Sequence, residues 1–397
     1  MRRFNSALIL GVFVLVMLSP LSALAASSRQ DLIVLYSIDC IHNSGGGLLH
    51  PGATTAGPTA SNTFAIANIF NTMDVWEGAD LLLPDRVLKD NMTAWIVQLQ
   101  ITDTDAIDYG GFLTMVGAPN ATLMGSFYAV QALSAMDTTT DIDEAILYNF
   151  IVNLQRTNIT EYPDTLGGFA DRTYNSSATV AATYYALETL NTYSQLGLVN
   201  QSLAIDWLNS SQLLASPGSQ SYGGFANGRT SSTADLQTTF MALRSLELLG
   251  NLAIINQTAA IQYILPHYCS DTNYPQHFGG FSITPNDPAA NHWATYYAVA
   301  ALQILGAESQ LNSDAIITWL LSTQNTDGGF ADTLGVSSFI PQTNLAVSTL
   351  ALLDATAHLQ EAFGNDPYIF PWWIIALVAI IIVIVIFIYI ARRADWF

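Results

Sequence analysis

The sequence predicts an all-α protein made of six helical hairpins, and three observations predict it. A Gly-Gly turn recurs as Gly46-Gly47-Leu48, Gly110-Gly111-Phe112, Gly167-Gly168-Phe169, Gly223-Gly224-Phe225, Gly279-Gly280-Phe281 and Gly328-Gly329-Phe330, with a period of about 56 residues. After every turn comes a stretch with the spacing of a buried helix. Before every turn comes a second, shorter stretch of helical character.

Each later stretch is anchored by a Ser or Thr: Thr63, Ser126, Thr183, Thr239, Thr295 and Thr343. Three residues on, five units have alanine, namely Ala129, Ala186, Ala242, Ala298 and Ala346. Seven on stand Phe70, Leu133, Leu190, Leu246, Leu302 and Leu350. Spacing of i, i+3, i+7 marks one buried helix face. Small residues on that face let neighbouring helices approach closely.

Four of the earlier stretches carry an aromatic, then Ile or Leu, then Gln: Trp95-Ile96 with Gln100, Phe150-Ile151 with Gln155, Trp207-Leu208 with Gln212, and Trp319-Leu320 with Gln324. "RQDLIVLYSID" (29–39) and "AIQYILPHY" (260–268) fill the other two places. The Gly pair lets the chain reverse where a Cβ would clash.

The two ends read differently. Residues 1–25, with two arginines, an apolar run and Ala23-Leu24-Ala25, have the layout of a secretory signal peptide. "WWIIALVAIIIVIVIFIYIA" is an unbroken apolar run of about 20 residues, long enough to cross a bilayer. Residues 367–391 are therefore expected to be a transmembrane anchor and residues 392–397 a cytoplasmic tail carrying Arg392 and Arg393. Residues 26–366 are left as the folded domain, held outside the cell membrane in a single-pass type I orientation. Asn-x-Ser/Thr sequons at Asn91, Asn120, Asn158, Asn175, Asn200, Asn209 and Asn256 fit a glycoprotein exported this way.

The net charge is −20, and the cations between the two ends are few and scattered. Nucleic-acid binding needs a basic patch, so it is excluded as a function. Cys40 and Cys269 are the only cysteines. They could form a disulfide in an oxidising compartment, remain free, or join His42 and His267 in a metal site of non-standard spacing.

Six hairpins could form an open solenoid or close into a ring. A resemblance bears on the choice. "TQNTDGGF" resembles the repeat motif of squalene cyclases. "GGFADTLG" with "TNLAVSTLALL", and "HWATYYAVAALQILG", resemble the last units of protein prenyltransferase β-subunits. The resemblance, which spans residues 29–355, implies an α6/α6 toroid. Its post-turn helices would line a central cavity and its pre-turn helices would surround them.

The chemistry of that superfamily is matched less well. Prenyltransferases of this kind bind zinc through Asp, Cys and His. The resemblance places Asn291, Trp293 and Gln342 at those positions, so no zinc cofactor is expected. His292 lies between two of them, as a cavity residue or a packing one. "DTDAID" (103–108) and "DIDEA" (141–145) only approximate the acidic motif of the cyclases. Helix capping and a loose Ca²⁺ site are the other readings.

The resemblance implies that the row two residues after the anchor faces the cavity, with Tyr128, Tyr185, Met241 and Tyr297 in it. Three residues deeper it implies a polar row with Asn68, Gln131, Glu188 and Arg244. These eight residues, with His292 and Trp293, are the candidate ligand-binding set, unless the tyrosines simply fill the centre. Glu188 and Arg244 stand at equivalent positions of adjacent units and are expected to pair. Two functions follow. One is a membrane-anchored, non-zinc module binding a protein, glycan or lipid-like ligand. The other is a divergent isoprenoid-handling enzyme using the same cavity.

Overall fold

The computed structural model describes residues 28–53, 55–76, 88–173 and 177–363. Twelve α-helices alternate along these residues. The pre-turn helices are α1 (Arg29–Asp39), α3 (Leu88–Val97), α5 (Glu144–Asn153), α7 (Gln201–Ser210), α9 (Gln257–Ile264) and α11 (Ser313–Ser322). The post-turn helices are α2 (Ala60–Met73), α4 (Leu123–Ala135), α6 (Val180–Thr192), α8 (Leu236–Leu248), α10 (His292–Ile304) and α12 (Ile340–Leu352). Each post-turn helix packs on the next, and α12 packs on α2. The unit Asp31–Ala357 is therefore a closed ring of inner helices, which settles solenoid against toroid. Residues 28–30 and 358–363 belong to a separate unit, where Ser28 bridges to Ala362.

Geometry at the turn explains the repeat. The first glycine has φ between +92° and +101° at Gly110, Gly167, Gly223, Gly279 and Gly328. A Cβ there would also strike a main-chain carbonyl of the next pre-turn helix: that of Ile146, Leu203, Ala259 and Ala315, and of Leu32 in α1 for the sixth turn. The second glycine lies under an aromatic ring of the same helix, Phe150, Trp207, Tyr263, Trp319 and Tyr36 respectively. So the recurring aromatic exists to cover the Gly-Gly turn of the unit before it. Tyr36 and Tyr263 do this in the two stretches that lack the common pattern.

The other repeated residues are hydrogen-bonding devices. The anchor hydroxyl accepts from the main-chain N–H at the turn's third position, at 3.0 Å for Phe112 to Ser126 and 3.1 Å for Phe169 to Thr183. It donates to the carbonyl four residues back, as Thr183 does to Thr179 at 2.8 Å. Gln155 donates through Nε2 to the carbonyls of Gly167 and Asn200 and accepts the Asn200 N–H at Oε1. Gln212 repeats this with Gly223 and Asn256, and Gln100 with Gly110 and Asp143. Each Gln thus ties its own turn to the start of the next pre-turn helix. Those helices begin on side-chain caps from Asp143, Asn200, Asn256 and Asn312, each stabilising by about 1 kcal/mol.

A further link joins neighbouring units. The residue two after the turn's third position accepts the first N–H of the preceding inner helix. The carbonyls of Thr114, Asp171 and Asn227 accept from Ala60, Leu123 and Val180, and in the fifth unit the Asp332 carboxylate accepts from His292 instead.

The first unit corrects the expected register. Gly45 takes the positive φ (+100°), and Gly47, not Leu48, donates its N–H to Thr63 at 2.8 Å. The turn is Gly45-Gly46-Gly47, one residue earlier than Gly46-Gly47-Leu48. Glycine replaces the aromatic because a Cβ at Gly47 would meet the main chain at Asn62 and Thr63.

The acidic motifs serve local structure. Asp143 caps α5, Asp103 accepts the Asp105 N–H, and Asp108 accepts the Ala121 N–H. Cys40 and Cys269 are both free and buried, so the disulfide alternative is not formed. Burial pushes their thiols up to about 12 and about 11. No helix among the described residues is long and apolar enough to cross a membrane. The signal peptide and the anchor both fall outside the described residues, as does the sequon at Asn175.

Candidate functional site

The inner helices present two opposed faces. The anchor and the residues three and seven after it are fully buried against the outer layer, as at Thr183, Ala186 and Leu190. The residues one, two and five after the anchor point the other way, into a central cavity of about 930 Å³. This double duty is why these helices are apolar on most of their circumference.

Nine of the ten expected residues line the cavity: Tyr128, Tyr185, Met241, Tyr297, Trp293, Glu188, Arg244, Asn68 and Gln131. His292 does not, which corrects its placement. It is fully buried between Trp319 and Phe330, with ring centroids 4.9 and 6.2 Å away. Its Nδ1 is 2.8 Å from Asp332 Oδ1 and its Nε2 is 3.0 Å from Thr323 Oγ1. His292 stands three residues before the anchor Thr295, on the interlayer face. Trp293, two before the anchor, falls on the cavity face beside Tyr297, with ring centroids 6.0 Å apart.

A row of lining residues was not anticipated. The position directly after the anchor carries Phe64, Phe127, Tyr184, Phe240 and Tyr296, all lining the cavity. Successive centroids are 6.4, 5.4, 5.9 and 6.0 Å apart, an aromatic girdle through five units. The signal was in the sequence, as five aromatics each directly following an anchor. Asn344 interrupts the row in the sixth unit. Edge and tilted contacts at these distances add about 0.5–1.5 kcal/mol per pair. Burial holds the Tyr184 and Tyr297 hydroxyls well above the usual phenol range and Tyr296 at about 12. At neutral pH these side chains therefore offer O–H donors, not phenolates. Gln237 donates to the Tyr297 hydroxyl at 3.0 Å.

Below the girdle the polar row is stitched between units. Asn68 donates to Asn344 Oδ1 at 2.7 Å and Ser348 Oγ at 3.0 Å, and Gln131 donates to Thr192 at 3.0 Å. The expected Glu188–Arg244 pair forms, with Nε 2.7 Å from Oε1. Arg244 also reaches Glu247 Oε2 at 2.7 Å. Burial alone would lower the guanidinium pKa, and the two carboxylates more than offset this and raise it. Arg244 is the one cation among the described lining residues, and it is already shared by two anions.

The donor set at the expected zinc positions does not fit the metal. Asn291 caps α10 through Oδ1, which accepts from the Trp293 and Ala294 N–H groups, and donates through Nδ2 to Asp332 at 2.9 Å. Trp293 has no metal-binding atom, and Gln342 lies outside the cavity lining. Among the described residues no three His, Cys, Asp or Glu side chains are placed to hold a metal ion.

These features can be set beside known proteins. A family model described as the prenyltransferase alpha-alpha toroid domain matches residues 4–292 and 287–365. Geranylgeranyl transferase type-1 subunit beta of Arabidopsis thaliana is 24% identical over 277 residues, 62% of this chain and 67% of that protein. The structure of Candida albicans protein geranylgeranyltransferase-I complexed with GGPP superposes with a TM-score of 0.61 at 14% identity, over 77% of this chain and 87% of that one. A type II terpene cyclase from Scytonema, in complex with geranylgeranyl dihydroxybenzoate, does so with a TM-score of 0.52 at 12% identity, over 83% and 97%. With a family model covering most of its length, a closed ring of six hairpins and a central cavity, the chain belongs to the prenyltransferase alpha-alpha toroid domain family.

Proposed function

We propose that this toroid is a ligand-binding module whose cavity takes an elongated, isoprenoid-like molecule with an uncharged head, and that it does not carry out zinc-dependent prenyl transfer. One observation carries the reading: an aromatic-walled cavity whose only described lining cation is held by Glu188 and Glu247. The volume of about 930 Å³ lies at the upper end of small-molecule sites. The aromatic girdle suits a long hydrocarbon chain, and the polar row below it suits a polar head. A diphosphate head needs several cations and finds one, already neutralised. Activation of a thiol nucleophile needs a metal or base beside it, and the residues at the family's zinc positions supply none.

The two fold relatives support the isoprenoid class. The Candida enzyme is complexed with GGPP and the Scytonema cyclase with geranylgeranyl dihydroxybenzoate. The same resemblance supports a second reading, an isoprenoid-handling enzyme. Quenching of tyrosine and tryptophan emission on titration with geranylgeraniol and with geranylgeranyl diphosphate separates them. The binding module should saturate with the alcohol and bind the diphosphate more weakly. Zinc-dependent transfer of a geranylgeranyl group to a cysteine peptide, or cyclisation of the chain, would put the enzyme reading first.

The apolar run in residues 367–391 and the signal-like residues 1–25 support display of the toroid outside the cell membrane. Protease added to intact cells should then remove the ring. Full protection of the ring would refute this placement.

A further inference from the structure

The polar row of the cavity is uneven. On one side it holds Glu188 and Arg244, with Glu247 one turn further along α8. At the equivalent positions of α10 and α12 it holds only Ala300 and Ser348. Among the described lining residues charge is thus confined to the α6–α8 side, and the small residues leave room beside it, along α10 and α12. Any polar end of a ligand in this cavity would meet its strongest partners at this one place.

The bonding of that cluster restricts what it can accept. A guanidinium has five N–H donors. Arg244 gives its Nε hydrogen to Glu188 and an Nη1 hydrogen to Glu247. The side chain is 34% exposed, so donors remain that can face the cavity. Glu247 is 41% exposed and Glu188 12%, so both carboxylates are also felt there. The three groups sum to one negative charge. An oxygen of a neutral group gains a charge-assisted hydrogen bond and meets no net repulsion. An anion gains attraction from one centre and repulsion from two.

We propose that Glu188, Arg244 and Glu247 form a head-group selector, which accepts a neutral polar head such as a hydroxyl or carbonyl on Arg244 and rejects an anionic one through the paired carboxylates. The inference rests on the cavity being the site of an isoprenoid-like ligand. It adds which residues discriminate and in which direction. Glu247 is the lever, because it is exposed, sits only three residues from Arg244 and can change without leaving Glu188 unpaired.

The test uses two probes with the same C20 chain, geranylgeraniol and geranylgeranoic acid, titrated into the full chain in lipid nanodiscs at neutral pH. The measured quantity is the ratio of their two Kd values, so a general loss of affinity does not mimic the effect. Wild type should prefer the alcohol. Glu247→Gln should shift the ratio toward the acid by about tenfold, a modest value for one unit charge several ångströms away in a partly solvated site. Glu247→Lys should shift it further in the same direction. If the alcohol binds and the ratio is the same in all three proteins, or if wild type prefers the acid, the selector is wrong while the cavity reading stands. If wild type binds neither probe, both are wrong.

Discussion

At Glu188 and Arg244, two residues placed by their distance from an anchor meet across adjacent helices at 2.7 Å. Arg244→Ala would leave Glu188, 12% exposed, without its cation. A fully buried unpaired charge costs several kcal/mol, but Arg244 is one third exposed, so an expected loss of about 1–2 kcal/mol is reasonable. Urea denaturation should show this as a lower midpoint with an unchanged slope, and an unshifted midpoint would mean the pair is only local decoration. The same counting from the anchor could have placed His292. Three residues before Thr295 is the interlayer face, and Trp319, Phe330, Asp332 and Thr323 enclose the ring there. What misled was its neighbourhood in sequence, between Asn291 and Trp293. The Asp332 carboxyl is pushed up by burial and drawn down by its hydrogen bonds to His292, which together prevail. Its carboxylate also takes the first N–H of α10, the group whose counterparts in α4 and α6 are taken by the Asp171 and Asn227 carbonyls, so the His292–Asp332 contact belongs to the scaffold.

The Gly-Gly turn is legible in sequence as punctuation, but its cause lies in the neighbouring unit and could not be read locally. Gly167 and Gly218 separate the two costs a side chain can incur there. Both have positive φ, +94° and +92°. A Cβ at Gly167 would strike the Leu203 carbonyl, whereas at Gly218 it would meet nothing within 4 Å. Gly218→Ala should cost only backbone strain, about 1 kcal/mol. Gly167→Ala adds a main-chain collision that can be relieved only by moving α7, and should cost about 3 kcal/mol or more. Thermal or urea denaturation of the two variants reads the difference directly, and equal losses would show that α7 yields freely. The post-turn helices were visible from i, i+3, i+7 spacing, and the stretch 29–39, placed before the first turn, coincides with α1. The first turn was misregistered by one residue because a run of three glycines, 45 to 47, offers two equivalent pairs, and only the Thr63 hydrogen bond chooses between them. The girdle was overlooked for a related reason. A position next to the anchor does not share its face, so a search along the buried face passes over it.

Closure is the property of the whole ring that hairpin counting alone did not supply, because every internal hairpin has the same two interfaces in an open array as in a closed one. The structure closes by reusing the links between ordinary neighbours. The sixth turn seats Gly328 against Leu32 and Gly329 against Tyr36, as the second seats Gly110 and Gly111 against Ile146 and Phe150. The Ile340 N–H donates to the Leu49 carbonyl at 2.9 Å, the same link that joins Leu123 to Asp171. Asn68 adds two side-chain bonds across the seam, to Asn344 and Ser348. In an open repeat array the terminal units have one neighbour each and fray first. Here α2 and α12 have two inner neighbours, as α6 does. Native-state hydrogen exchange should therefore find the slowest amides of α2, α12 and α6 opening with the same free energy and the same denaturant dependence, in one cooperative unit. Gly328→Ala, which wedges the seam open, should turn this into stepwise behaviour, with α12 and α2 exchanging before α6. If α12 and α2 already exchange first in the unaltered protein, the seam is weaker than the other five joints. The toroid would then behave as a bent solenoid whose ends merely touch, and the cavity it surrounds would open sideways between α12 and α2.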